Sequence, residues 1–416
     1  MSQRRVAITG LGLVSPYGGD LPDFFSRLCA GESAVGYLQT DDVPRPLAMP
    51  FASCHAFDPD VALGKPLASM MDRFAQFAMT AAFSAWDNAG LPRKAEGKSR
   101  DDWGVAWGTA LGGTLAYEHG YRELWQKGRP RLSPLTVLLG MNSSANAQIS
   151  IQLGLGGGSM SYTVACASSA IAIGEAFRRV RSGEATVMLT GGSDVPQAYG
   201  VARAWEALRV LAAGDSESAA TACRPFSADR GGLVLGEGGA ALVLEDWEHA
   251  VARGARIHGE IVGYGTTCDH SHLVRPEPEG QIRAIQLALS DAGMSPAEID
   301  YVNAHGTATT EGDPSEIAAL KAVFAERAAT LPVSATKSMH GHLLGGSAAI
   351  EAIVTVLALR DRAIPPTAHL AELDPACAGV DHVTTARHGS PLRAALSNSF
   401  AFGGSNAVLA FRTVDL

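Results

Sequence analysis

The strongest constraint on this chain is that it repeats itself. The segment AWDNAGLP (Ala85–Pro92) returns as ALSDAGMSP (Ala288–Pro296), and each copy leads through a short strand-like run into a Gly-Thr-Ala loop. The first loop is Gly108-Thr109-Ala110 and the second is Gly306-Thr307-Ala308. Further on, SSAIAIGEAFRRVRSGE (Ser168–Glu184) parallels GSAAIEAIVTVLALRDR (Gly346–Arg362), a small-residue helix entered from a Cys- or Gly-containing turn. Self-similarity of this kind means that one supersecondary unit has been used twice. A chain of 416 residues also exceeds the ~250–300 residues that one core usually serves. The expectation is therefore two joined βαβ-type halves, 1–250 and 251–416, with no Pro/Ser-rich linker between them. The first copy carries extra sequence from Tyr117 to Leu139, expected to form a cap or a dimer contact.

Local patterns agree with that plan. RVAITG (Arg5–Gly10), WGVAWGTA (Trp103–Ala110), ATVMLTGG (Ala185–Gly192) and AALVLED (Ala240–Asp246) read as strands between Ala-rich helical stretches, which predicts α/β layering. Glycines cluster where those strands end, so the loops after them are the expected working surface. Hydrophobic residues make up 46% and charged residues 18%, enough apolar material for a large core. A formal charge of -9 without clustered Lys and Arg argues against nucleic-acid binding. The six cysteines are scattered without CxxC pairs, which disfavours a zinc knuckle or a disulfide framework. No apolar run reaches the length of a signal core or a membrane span. Reduced thiols in the cytoplasm are the expectation.

Three residues stand out chemically. Cys166, in SYTVACASSAIAIGEAF, lies where a β-branched strand meets a small-residue turn and then a helix starting at about Ala167. A thiol there faces the positive end of the helix dipole, which favours the thiolate nucleophile, in a setting analogous to the nucleophile elbow of hydrolases. An ordinary cysteine merely packs in a core, and the strand-turn-helix setting weighs against that. His305 follows a strand in DYVNAHGTATTEGD, and His342 sits in the turn of SATKSMHGHLLGGSAAIE, before the second copy's helix. A duplicated fold brings such strand ends to one cleft. His340 and His342, with one residue between them, have the spacing of a metal pair, but no carboxylate or cysteine cluster accompanies them, so no metal site is expected. Glu351 interrupts the apolar run AAIEAIVTVLAL, where an unpaired charge would be costly; Lys337 is its expected partner. Phe400 and Phe402 precede Gly403-Gly404 and could gate an apolar tunnel, although a core strand with a glycine turn explains them almost as well.

Taken in order, these segments resemble the β-ketoacyl-[acyl carrier protein] synthases of the thiolase-fold condensing enzymes, particularly the elongating synthases of the II type. The resemblance runs from RVAITGLGLVSPYG to NSFAFGGSNAVL and includes MMDRFAQFA (Met70–Ala78), RPFSADRGGLVLGEGGAALVLE (Arg224–Glu245), NAHGTATTEGD (Asn303–Asp313) and KSMHGHLLGGSAAIE (Lys337–Glu351). It implies a five-layered αβαβα thiolase-like fold and a Cys-His-His triad at Cys166, His305 and His342. Cys166 would take an acyl chain from a carrier-protein thioester, with the N–H groups of Cys166 and Phe402 as oxyanion donors. Both histidines would then bond the enolate left when malonyl-carrier protein loses its carboxylate, and a β-ketoacyl chain two carbons longer would result. Lys337 and Glu351 would be the supporting pair, Thr307 and Thr309 would bond the pantetheine arm, Phe402 would be the gate, and Leu111 would limit acyl depth. The resemblance implies no metal or redox cofactor, since phosphopantetheine arrives on the acyl carrier protein. It implies a homodimer, or a heterodimer with a related ketosynthase-like subunit.

Departures from the family pattern concern the substrate more than the triad. Ala401 stands in place of a usual glycine in the gate loop, Val274 where a pantetheine-binding threonine falls, and His340 where many relatives have threonine. Ser227 and Gly231 replace expected aspartates near Arg230. They are compatible with a synthase for polyene or polyketide chains. A chain-length-factor subunit generally lacks the active cysteine, although this chain could be the active half of such a pair. A cysteine hydrolase needs one histidine rather than two, and an acyl-binding module needs neither.

Overall fold

The computed structural model describes residues 3–41, 43–93, 99–389 and 391–414. Eleven strands form one sheet. The first half supplies β1 (Val6–Val14), β2 (Trp103–Gly108), β3 (Ser159–Tyr162), β4 (Val187–Asp194) and β5 (Gly238–Asp246). The second supplies β6 (Gly259–Cys268), β7 (Tyr301–Asn303), β8 (Pro332–Ser334), β9 (Asp381–His382), β10 (Ala394–Phe400) and β11 (Ser405–Arg412). Six helices matter for the site: α1 (Arg73–Asn88), α2 (Thr114–Trp125), α3 (Ser168–Ser182), α4 (Pro278–Ala292), α5 (Gly312–Phe324) and α6 (Ser347–Asp361).

The strand order runs β9-β8-β7-β10-β11-β6-β1-β5-β4-β2-β3. Read outward from the β1–β6 junction, the first half goes β1-β5-β4-β2-β3. The second goes β6-β11-β10-β7-β8, with β9 added at the edge. Pairing directions match as well: antiparallel for β1–β5, β5–β4, β6–β11 and β11–β10, parallel for the remaining pairs within each half. An antiparallel join, Val6 opposite Ile261, connects the halves.

Packing turns this sheet into five layers. α3 and α6 touch each other and reach strands of both halves, so they form the central layer. α1 covers β1 and β5 on one outer side, and α4 covers β6 and β11 on the other, with α5 packed beside it. Strands covered on both faces should be apolar throughout rather than alternating, and every residue of β1 and β5 is buried. α6 shows the same logic in helical form: Ser347 to Leu359 are all buried, so it carries no polar stripe.

The sequence echo has a direct physical cause. A Cβ on Gly10 or Gly12 of β1 would fall 2.1 Å from the Ala85 carbonyl oxygen or 2.3 Å from that of Ala81. A Cβ on Gly263 or Gly265 of β6 would fall 2.4 Å from the Ala288 carbonyl oxygen or 2.1 Å from that of Ala284. Each outer helix lies so close to its strand that only glycine faces alanine there. The side chains that close the contact also correspond, since Asn88 accepts the Leu11 N–H and Asp291 accepts the Tyr264 N–H, both at 3.0 Å.

The extra sequence of the first half forms α2 and a short helix, Leu135–Gly140, which pack together. Tyr117, Tyr121 and Trp125 stack along one side of α2, and Trp125 remains 75% exposed. Among the described residues, no helix is long and apolar enough to cross a membrane.

Candidate active site

Cys166 enters the site through a strained turn. The chain leaves β3, passes Ala165 at φ 45, and starts α3 at Ser168 with Ala167 as its N-cap. The Ser168 hydroxyl closes the turn, accepting the Val164 N–H at 2.8 Å and donating to the Ala165 carbonyl at 2.7 Å. Small residues are needed around it, because a Cβ on Gly108 would lie 2.4 Å from the Ser169 nitrogen. Cys166 is thus held at the head of the central layer and is only 6% exposed.

The second half brings both histidines to that thiol. His342 Nε2 lies 3.0 Å from Cys166 Sγ, and its Nδ1 lies 2.7 Å from the Ser347 hydroxyl. The backbone of His342 is pinned on both sides, its N–H to the Val234 carbonyl and its carbonyl to the Gly236 N–H. His305, just beyond β7, stands edge-on to His342 with ring centroids 5.6 Å apart. Lys337 donates to the His305 carbonyl at 2.7 Å, and its Nζ sits 3.4 Å from His305 Nδ1. An ammonium occupying the Nδ1 side leaves the ring proton of neutral His305 on Nε2. Lys337 also forms an ion pair with Glu351, and both side chains are fully buried.

Burial dominates the electrostatics. It pushes the Cys166 thiol up to about 11, against the opposing pull of the Lys337 ammonium and the backbone N–H groups of Phe402 and Cys166. His305 and His342 are held well below the usual imidazole range, first by burial and then by Lys337. The resting pair is therefore a thiol facing a neutral imidazole. This differs from the thiolate expected from the helix end alone, because desolvation of the charged form outweighs a dipole at this depth. The donor atoms of Cys166, His305 and His342 lie within 4.8 Å of one another. With a lysine ammonium against His305, the cluster suits an anionic group better than a second cation. His340 takes no part, since its ring nitrogens meet the Gly341 carbonyl and the Thr336 hydroxyl.

Buried neutral histidines also set a pH limit on stability. Burial lowers His258 to about 4, and both of its ring nitrogens lack hydrogen-bond partners. Burial, then Lys337, lowers His340 to about 3. An unfolded histidine takes its proton near 6.5, whereas these folded ones stay neutral below that. Their stabilising contribution is complete above pH ~6.5 and is lost as pH falls through the folded values. A melting series should show stability declining from about pH 6.5 towards pH 4, each such group adding a slope of up to ~1.4 kcal/mol per pH unit. His258→Phe should flatten that decline, and an unchanged slope would contradict the assignment.

A cavity of about 230 Å³ opens over the triad and is lined by Cys166, His305, His342, Thr307, Thr309, Phe400 and Phe402 among others. Thr307 and Thr309 face each other with hydroxyls 3.2 Å apart. Phe400 packs near His305, ring centroids 6.2 Å apart, while Phe402 stacks on Trp205 at 6.0 Å. Gly403, at φ 86, has open space where a Cβ would stand, and its N–H bonds the Leu273 carbonyl at 2.7 Å. The segment after Phe400 is thereby tied to the loop bearing Val274, which lines the same cavity. Leu111 does not line it. Leu111 sits in an apolar cluster with Leu344 and Trp205, joined to the cavity wall through Val210 and Leu233.

Three supporting residues escaped the sequence reading. Ser347 meets His342 Nδ1. Glu316 of α5 accepts the N–H groups of His305 and Gly306, each at 2.9 Å, and the Asn398 amide at 3.0 Å. Asp194 at the end of β4 accepts from Thr109, Ala110 and Leu111 of one half and Gly345 of the other. For Glu316 and Asp194 the sequence signal is an acidic residue in an apolar context, as in VMLTGGSDV, and Ser347 carries none. That pattern shows burial but not the partners.

Residues 3–250 match the model for the β-ketoacyl synthase N-terminal domain, and residues 258–371 match that for the β-ketoacyl synthase C-terminal domain. The chain is 41% identical over 419 residues to a 3-oxoacyl-[acyl-carrier-protein] synthase 2 from Staphylococcus aureus (strain N315), covering 100% of both. It is 41% identical over 411 residues to nodulation protein E from Rhizobium sp. (strain N33), covering 99% of this chain and 100% of that one. Among solved structures, the ishigamide ketosynthase/chain length factor superposes with a TM-score of 0.90 at 32% identity, covering 100% of both chains. Matched by both domain models and 41% identical over its whole length to a 3-oxoacyl-[acyl-carrier-protein] synthase 2, this chain belongs to the β-ketoacyl synthase family of carbon-carbon bond-forming acyltransferases.

Proposed function

We propose that the chain extends an acyl group by two carbons through decarboxylative Claisen condensation with malonyl-[acyl carrier protein]. The observation that carries this is a thiol 3.0 Å from one histidine with a second histidine ring edge-on to the first. Thioester hydrolysis would need one base. Two neutral imidazoles at one thiol suit a reaction that must stabilise an enolate as well.

In the first step His342 Nε2 takes the thiol proton, and Cys166 attacks the thioester carbonyl of an acyl-carrier. The N–H groups of Cys166 and Phe402 meet the oxyanion, a kind of donor whose loss costs ~10²–10³ in rate elsewhere. The pantetheine sulfur leaves with the proton from His342. In the second step malonyl-carrier enters, with Thr307 and Thr309 bonding its pantetheine arm. The bond to its carboxylate breaks, releasing CO₂, and the enolate oxygen accepts hydrogen bonds from His305 and His342. The enolate carbon attacks the Cys166 thioester and the cysteine sulfur leaves. Lys337 and Glu351 fix the His305 ring, Phe400, Phe402 and Gly403 gate the entrance, and Leu111 bounds acyl depth from behind the wall.

The exposed aromatic side of α2 is the surface we assign to a second subunit, a copy of this chain or a related ketosynthase-like one. The division at residue 250 separates a half that supplies the nucleophile from a half that supplies both histidines. Cytoplasmic residence accords with six unpaired cysteines.

The test is intact-mass analysis of the purified protein with a panel of acyl-carrier proteins, with and without malonyl-carrier. The expected result is acylation at Cys166 followed by a β-ketoacyl carrier two carbons longer. Release of free acid alone would favour the hydrolase, and absence of acylation with every primer, even beside a partner subunit, would overturn the reading.

A further inference from the structure

Asp194 joins two segments that the chain keeps far apart, the loop after β2 and the turn that follows His342. Its carboxylate is 0% exposed. Oδ1 accepts the Thr109 hydroxyl at 2.8 Å and the Leu111 N–H at 3.0 Å, and Oδ2 accepts the N–H groups of Ala110 and Gly345, each at 2.7 Å. A backbone N–H can only donate, so the direction of three of these bonds is fixed. Thr109 tightens the same loop, because its hydroxyl oxygen accepts the Gly112 N–H at 3.0 Å. Burial pushes the Asp194 carboxyl up to about 6, so above that value it is ionised, and hydrogen bonds to an ionised acceptor are the strong ones. Leu111 is half-buried, in the apolar cluster whose members Val210 and Leu233 also form part of the cavity wall.

We propose that Asp194 is a positioning residue for chain-length specificity: its bond to the Leu111 N–H latches that loop against the apolar wall and so limits the length of acyl chain the site accepts. This rests on the condensing reading above, with Leu111 as the limit of acyl depth. While residues 109–111 are tied to one carboxylate, Leu111 yields only by turning about its side-chain bonds. A long chain needs the backbone to move as well, and that movement breaks the Leu111 N–H bond. A short chain stops before Leu111 and leaves the bond intact. The latch therefore acts on the ratio of long to short chains and not on the chemistry at the thiol.

The test is Asp194→Asn, which keeps the shape but replaces one acceptor oxygen by an NH₂ donor. With the amide oxygen in the Oδ2 place, the bonds from Ala110 and Gly345 survive. The NH₂ then meets the Thr109 oxygen, which can accept, and the Leu111 N–H, which cannot. This orientation loses one backbone bond and the reverse loses two, so the variant releases Leu111 while holding the turn after His342. Rates of product formation are measured with malonyl-carrier and a graded series of straight-chain acyl-carriers, at a pH where the wild-type carboxyl is ionised. The expected result is a ratio of long-primer to short-primer rates raised at least about tenfold, the effect of one lost hydrogen bond to a charged group. Thr109→Val, of the same shape without the hydroxyl, should move the ratio in the same direction by less, and it decides the matter if Asp194→Asn does not fold. Leu111→Ala, run beside them, should raise the ratio directly. A merely structural Asp194 would slow every primer alike, so an unchanged ratio in Asp194→Asn, or in Thr109→Val if it alone folds, overturns the proposal whether or not Leu111→Ala shifts. Failure of the wild-type enzyme to condense any primer would instead sink the functional reading on which it rests.

Discussion

Cys166→Ala will abolish the acyl adduct and lower condensation by at least about 10³-fold, the scale of loss when a covalent nucleophile is removed from its catalytic unit. Cys166 Sγ is the atom 3.0 Å from His342 Nε2, and the backbone N–H groups of Phe402 and Cys166 favour its ionised form against burial. Removing it leaves an oxyanion site and two histidines with nothing to hold the acyl chain. Cys166→Ser keeps the shape but not the chemistry. A hydroxyl gives up its proton far less readily than a thiol, and burial already holds the thiol at about 11. The serine enzyme should acylate at least about 10²-fold more slowly. Intact mass with acyl-carrier checks both variants, and an adduct that persists in Cys166→Ala would place the nucleophile elsewhere.

Lys337→Met should be the most destabilising single change at the site. It leaves the Glu351 carboxylate, 0% exposed, with no counter-charge, and breaking one side of a buried pair typically costs about 3–5 kcal/mol. Burial already pushes the Glu351 carboxyl up to about 7, with the ammonium pulling it the other way. In the variant it will fold as the protonated acid or not at all. The double change Lys337→Met, Glu351→Leu should recover most of the lost stability, because apolar replacements of a buried pair are often neutral or better. It should not recover condensation. The ammonium that reaches the His305 carbonyl and the Nδ1 side of its ring is absent in both variants, so His305 loses the contact that holds its proton on Nε2. Urea unfolding and single-turnover condensation together decide this. A double variant that condenses normally would show that the pair serves stability alone.

What could be read from the chain beforehand depended on the range of the interaction. The echo between AWDNAGLP and ALSDAGMSP was legible because both copies answer the same local demand. A helix that lies on glycine carbons needs alanine at the contact, and a strand N–H needs Asn88 or Asp291 to accept it. Strand ends were less legible: the first run was read as ending at Gly10 and continues to Val14, because covering by α1 lets glycine stay in the strand. Glu351 was readable as a buried charge because its neighbours are apolar, and Lys337 followed from the need for a partner.

Other parts of the site lie beyond any local pattern. Ser347, Glu316 and Asp194 look ordinary in sequence, and their roles come from atoms that other segments deliver. Asp194 binds Gly345 across 151 residues of chain, and His342 meets Cys166 across 176. The pKa of Cys166 departs from what its helix end predicts for the same reason, because the depth of burial that raises it is a property of the packed layers.

The sequence by itself determined the duplication, the α/β class, the thiol at a strand-to-helix turn and the two histidines that could serve it. Each depends on residues close in the chain or on copies of one unit. Only the tertiary structure decided that burial raises the Cys166 thiol, which atoms meet each histidine ring, and where Leu111 stands relative to the cavity. Those depend on solvent exclusion and on distances of about 3 Å between halves, which arise when α3 and α6 meet in the central layer.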